Sequence, residues 1–106
     1  KVAAGPTAAA GIGSLVSGYR GVLALRETDG RAVGVSDAEM HEAAAALGRR
    51  GLWQEICGAA APAALRRLVS EGGAPGGDVV LILTSAGPDL VDDEAAIAAV
   101  RAARPD

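Results

Sequence analysis

The sequence predicts an α/β fold in which part of a parallel sheet is flanked by helices. Helix and strand patterns alternate along its 106 residues, and the strongest strand pattern, residues 78–84, contains an unbroken run of aliphatic side chains. A strand with this composition is typically covered on both faces, as in the centre of a parallel sheet. Alternating elements favour the same fold class.

The first predicted helix lies near residues 18–29. Val22 and Leu25 are spaced to share one face, and Gly30 is a typical residue to end a helix. A short apolar segment, residues 32–35, follows and is predicted to be a strand.

A capping box begins the next helix directly after that strand. The Ser36 hydroxyl is placed to accept from the Glu39 amide, and the Glu39 carboxylate to accept from the Ser36 amide. The helix is expected to end around residues 48–51. Its buried face is predicted to hold Met40, Ala43, Ala44 and Leu47.

The second half of the chain repeats the pattern. Residues 51–55 are expected to form a short connection or an edge strand, and a helix is predicted from about residue 59 to 71, with Pro62 in its first turn. After the 78–84 strand, a last helix is predicted over residues 92–104, where acidic residues begin it and arginines end it.

Two strands do not make a parallel sheet, so the predicted architecture points to a larger protein. A fully apolar strand needs neighbours on both sides. Residue 1 is Lys1 rather than Met, so we expect a processed or truncated chain. The partner is expected to be the N-terminal remainder of the same protein, or another chain that completes the sheet.

Composition argues against several functions. The net charge is −3, and no basic stripe with interleaved aromatic residues is present, so nucleic acid is not an expected partner. Cys57 and His41 are the only residues of their types, which argues against a disulfide or a zinc site built from several such ligands. No apolar run is long enough to span a membrane. We expect a cytoplasmic protein.

Four short segments carry a resemblance to a known family. Together, in this order and spacing, they resemble the C-terminal part of threonine synthase-like enzymes, which belong to fold type II of the pyridoxal-phosphate enzymes, the tryptophan synthase β-superfamily. The segments are Ala9-Ala10-Gly11-Ile12, the stretch of residues 30–39, Gly51-Leu52-Trp53-Gln54-Glu55, and residues 77–84.

The resemblance implies a cofactor, a position in the fold and three cofactor-binding residues. Residues 1–106 would be a single segment from the C-terminal part of the large domain, which binds pyridoxal 5′-phosphate. Thr84 matches the hydroxyl residue that faces the pyridine nitrogen of the cofactor. Glu55 matches a position close to the cofactor, and Gly11 matches a glycine whose backbone passes the cofactor ring, where a Cβ would collide.

The implied activity is β- or γ-elimination or replacement on an amino acid, as in threonine synthases or threonine and serine dehydratases. The family's cofactor-carrying lysine and phosphate loop belong to its N-terminal part, and Lys1 is the only lysine here. The segment is therefore expected to contain no catalytic residue and to be inactive alone. The intact enzyme is expected to be a homo-oligomer.

Two places depart from the threonine synthase pattern. Residues 85–90 replace a glycine-rich run that ends in Gly-Leu-Lys-Asp, and Ile56-Cys57-Gly58 replaces Pro-Ser-Ser. These departures bear on threonine synthase activity rather than on the superfamily.

Other interpretations remain open. The chain could be a stand-alone α/β binding or interaction module, or a degenerate family member kept as an interaction subunit. Thr84 could simply end a strand, Glu55 could be a solvated surface charge, and Gly11 could interrupt a loop. Cys57 could be a buried, inert thiol.

Overall fold

A computed structural model describes residues 5–14, 18–73, 76–86 and 102. Its elements are a 3₁₀ turn at Ala10–Ile12 and three helices: α1 (Tyr19–Glu27), α2 (Asp37–Gly48) and α3 (Ala60–Ser70). The three helices predicted between residues 18 and 71 are confirmed. Apart from residue 102, the predicted helix over 92–104 lies outside the described residues.

Helix α1 ends as its sequence predicts. The Gly30 amide donates to the Leu25 carbonyl over 2.8 Å, and the Thr28 hydroxyl donates to the Ala24 carbonyl over 2.7 Å. Val22 and Leu25 remain 39% and 37% exposed, so the described residues do not cover the apolar face of α1.

The capping box of α2 is confirmed. The Glu39 amide donates to Ser36 Oγ over 3.3 Å, and the Ser36 amide donates to Glu39 Oε2 over 2.7 Å. The helix places Met40 and Ala43 in the interior, with Ala44 beside them. The start of α2 is therefore as predicted, and so are two of the four residues expected on its buried face; Ala44 and Leu47 are half-buried.

Helices α2 and α3 pack together around a small core. Five residues form it: Ala9, Met40, Ala43, Ala59 and Ala63. Four of the five are alanines, which contribute little apolar area to burial. Arg67 of α3 also spans to α2, where its Nε and Nη2 donate to the Glu39 carboxylate over 2.8 and 2.7 Å.

Neither predicted strand is paired in a ladder within the described part of the chain. The β-type pairing recorded there is a single antiparallel bridge between Gln54 and Ala86. Val80 and Ile82, from the segment predicted to be a buried strand, are 86% and 74% exposed. The parallel sheet needs neighbours that the described residues do not supply, so it stays a prediction.

Candidate functional site

A tight turn leads into α3 and forms the centre of the candidate site, which we call the 55–59 turn. The Ala59 amide donates to the Glu55 carbonyl over 3.1 Å, and the Ala60 amide donates to the Cys57 carbonyl over 3.2 Å. The turn therefore passes directly into the helix. Glu55 and Cys57 are half-buried along it.

Gly11 lies against this turn. A Cβ atom placed on Gly11 would come within 3.2 Å of Cys57 Sγ, tighter than ordinary side-chain contact. The 3₁₀ turn that carries Gly11 follows Ala9, a core residue that is 1% exposed. The backbone at Gly11 is thus held close to the 55–59 turn, and the close approach favours a residue without a side chain.

The segment before Gly11 is fastened to α2 by Asp37. The Thr7 hydroxyl donates to Asp37 Oδ1 over 2.6 Å, and the Ala8 amide donates to Oδ2 over 2.7 Å. The Ala9 amide in turn donates to the Thr7 hydroxyl over 3.1 Å. The hydrogen bond from the Thr7 hydroxyl, followed in size by the one from the Ala8 amide, lowers the pKa of Asp37 from its usual value of 3.8.

Thr84 belongs to another segment that contacts the turn. It is exposed, and its hydroxyl has no hydrogen-bond partner among the described residues. The two residues after it are close to the turn: Ala86 forms the bridge with Gln54, and a Cβ placed on Gly58 would lie 2.8 Å from the Ser85 carbonyl oxygen. The Thr84 hydroxyl is therefore available to an outside group, and the residues that follow it lie at the 55–59 turn.

Gln54 contributes a buried polar atom that lacks a partner. Its Nε2 donates to the Trp53 carbonyl over 3.0 Å, while its Oε1 is buried without a hydrogen-bond partner. The Trp53 indole nitrogen is also buried and unpaired. Unpaired buried polar atoms are uncommon in folded proteins and call for an explanation.

Glu39 and Arg67 hold the scaffold around the site. The Ser36 amide and hydroxyl donate to the Glu39 carboxylate, and the Arg67 guanidinium adds two further bonds. These interactions, with the Ser36 amide as the largest influence, lower the pKa of Glu39 from 4.5 to about 2. The Arg67 guanidinium also donates to the Gly34 carbonyl, which ties the residues before α2 to α3.

The structure therefore brings the segments of all three predicted cofactor residues to one turn. Sequence reasoning missed the roles of Asp37 and Gly58. Asp37 was visible only as an acidic residue in the first turn of a predicted helix, a position that needs no long-range partner. Gly58 was visible only as a departure from the threonine synthase pattern.

A separate open groove is apolar. Its lining includes Ala9, Ile12, Val35, Met40 and Ala64, and none of the three predicted cofactor residues. The described residues contain no group of three or more side chains suited to a metal ion. None of their helices is long and apolar enough to cross a membrane.

Comparison with known proteins identifies the family. A family model for pyridoxal-phosphate dependent enzymes matches residues 1–85. Because this match covers most of the 106 residues, the chain belongs to that family, whose members depend on pyridoxal phosphate. No curated protein and no solved structure matches the chain significantly.

The residues at the 55–59 turn are compatible with that cofactor. Thr84 offers an exposed hydroxyl, without a hydrogen-bond partner among the described residues, that can bond a ring nitrogen. Gly11 brings backbone close to the turn, with its missing Cβ facing Cys57 Sγ. The carboxylate of Glu55 belongs to the same turn. These features suit the edge of a cofactor site that other parts of a protein would complete.

Proposed function

We propose that this chain is the C-terminal part of the large domain of a threonine synthase-like or threonine/serine dehydratase-like enzyme. The enzyme catalyses β- or γ-elimination or replacement on an amino acid. Family membership supports the cofactor. The observation that supports this particular class of enzyme is that the segments of Gly11, Glu55 and Thr84 meet at one turn. The Thr84 hydroxyl there is exposed and has no hydrogen-bond partner among the described residues.

Pyridoxal phosphate, when bound, supplies the electron sink that these reactions need. Thr84 would bond the pyridine nitrogen through a neutral hydroxyl, and unlike a carboxylate it would not hold a proton on that atom. Elimination and replacement suit this weaker electron sink. Gly11 would let the backbone pass close to the cofactor, and Glu55 would place a carboxylate near it.

The rest of the site comes from residues outside this segment. We propose that the N-terminal remainder, or another chain, supplies the cofactor-carrying lysine, the phosphate loop and the strands beside residues 78–84. The exposure of Val80 and Ile82 supports this, because removing large aliphatic side chains from water lowers the free energy of the folded protein. The domain would then be α/β with a parallel sheet.

Thr84→Val in the complete polypeptide tests the cofactor assignment. Valine keeps the shape of threonine but leaves the ring nitrogen unpaired, at a cost of about 1–3 kcal/mol. We expect cofactor affinity or turnover to fall about 10- to 100-fold. The assays are titration of the apoprotein with pyridoxal phosphate and steady-state rates with amino-acid substrates.

Thr28→Val is the matched control. It also removes a threonine hydroxyl, but one that caps the end of α1, and it should leave cofactor affinity unchanged. Equal affinity and rate for wild-type protein and Thr84→Val would show that Thr84 has no cofactor role. Thr84→Asp should instead favour the protonated ring and change the balance of elimination and replacement products.

A further inference from the structure

Gly58, in the 55–59 turn, lies against the segment that carries Thr84. It is buried, and a Cβ placed on it would lie 2.6 Å from Gln54 Oε1 and 2.8 Å from the Ser85 carbonyl oxygen. Both distances are shorter than real Cβ atoms show. One of the two atoms belongs to backbone, which does not rotate away as a side-chain end does.

The Ser85 carbonyl is one residue from the proposed cofactor contact. Thr84 precedes it, and Ala86, which follows it, is bridged to Gln54. A displacement of the Ser85 carbonyl therefore moves a short segment that is fixed at Ala86, and Thr84 moves with it. The absence of a side chain at Gly58 lets the Ser85 carbonyl lie this close to the turn that carries Glu55.

The two departures from the family pattern meet at this contact. Gly58 stands in one departing segment and Ser85 in the other. A residue without a side chain thus faces the carbonyl of Ser85, the first residue of the segment that stands where threonine synthases have a glycine-rich run. Contact between the two segments is possible here because one partner lacks a Cβ.

We propose that Gly58 is a positioning residue for Thr84. Because Gly58 has no side chain, the Ser85 carbonyl and the Gln54 side chain can lie close to its Cα, and this packing fixes the position of the Thr84 hydroxyl relative to Glu55. This inference rests on the cofactor role proposed for Thr84. Gly58 itself touches neither cofactor nor substrate in this scheme.

The test is Gly58→Ala in the complete polypeptide, with Gly34→Ala as the matched control. A Cβ on Gly34 meets nothing within 4 Å, so the control adds the same methyl group in open space. We expect Gly58→Ala to weaken pyridoxal phosphate binding about tenfold, as for one lost hydrogen bond. Its bound-cofactor absorption spectrum should shift in the direction seen for Thr84→Val, whereas Gly34→Ala should keep the wild-type affinity and spectrum.

A double-mutant cycle separates this inference from the proposed function. If Gly58 acts through Thr84, adding Gly58→Ala to Thr84→Val weakens binding by less than about twofold more. If the two effects instead multiply fully, Gly58 does not act through Thr84 and the inference fails, while the role of Thr84 stands. If Thr84→Val alone has no effect, the cofactor role of Thr84 fails and the inference fails with it.

A second variant tests the proposal even where Gly58→Ala alone folds poorly. Adding Gln54→Ala removes the nearer of the two crowding atoms and gives the new methyl group room on that side. The Ser85 carbonyl remains, so we expect the double variant to fold and still bind pyridoxal phosphate about tenfold more weakly than Gln54→Ala. Affinity equal to that of Gln54→Ala would overturn the proposal.

Discussion

Replacing Met40 by alanine measures how much stability depends on the contact between α2 and α3. Met40 is 3% exposed, and the other members of the described core are alanines. The substitution removes Cγ, Sδ and Cε, and at about 0.8 kcal/mol per methylene-sized group the transfer cost is about 2.4 kcal/mol. Neighbouring alanines are too short to fill the space, so the cavity raises the expected loss to about 3 kcal/mol.

Urea unfolding of the purified protein measures this loss. Trp53 is the single tryptophan of the chain and lies beside Gly48 at the end of α2, so its fluorescence reports on this part of the structure. Met40→Leu conserves volume and should cost less than about 1.5 kcal/mol. Val69→Ala, at a side chain that is 52% exposed, should cost less than about 0.5 kcal/mol. A Met40→Ala variant as stable as Val69→Ala would refute this account of the core.

Two further predictions concern acid pH and the predicted strand. The pKa values of Asp37 and Glu39 are lowered in the folded protein, so their contribution to stability is present above the unfolded values of 3.8 and 4.5 and is lost as pH falls below them, toward about 2 for Glu39. The urea midpoint of unfolding, measured from pH 6 to pH 2, should decrease as the pH drops through this window. Glu39→Gln should make this decrease smaller, and a decrease as large as in the wild-type protein would contradict the role given to Glu39. Ile82→Asp should strongly reduce the yield of folded complete polypeptide if a neighbouring strand buries this side chain, because an unpaired buried carboxylate is costly. The control Val69→Asp, on the exposed side of α3, should be tolerated, and equal yields of the two variants would show that residue 82 lies on the surface.

The helices could be predicted because their signals are local. The capping box joins residues three positions apart, and the apolar spacing of α2 selects its own buried face. The strand at 78–84 could be proposed from composition but not located in a sheet, because a strand is defined by neighbours that a local pattern does not contain. The cofactor residues came from a family resemblance rather than from spacing.

The sequence by itself determined where α1, α2 and α3 lie, how α2 begins and which side of it faces the core, because each depends on neighbours within a few positions along the chain. Only the tertiary structure decided that the Asp37 carboxylate accepts from the Thr7 hydroxyl and the Ala8 amide, 30 and 29 residues earlier. It likewise decided that Gly58 faces the Ser85 carbonyl. Such contacts depend on how separate segments pack, and no local pattern encodes the distance between atoms that meet only after folding.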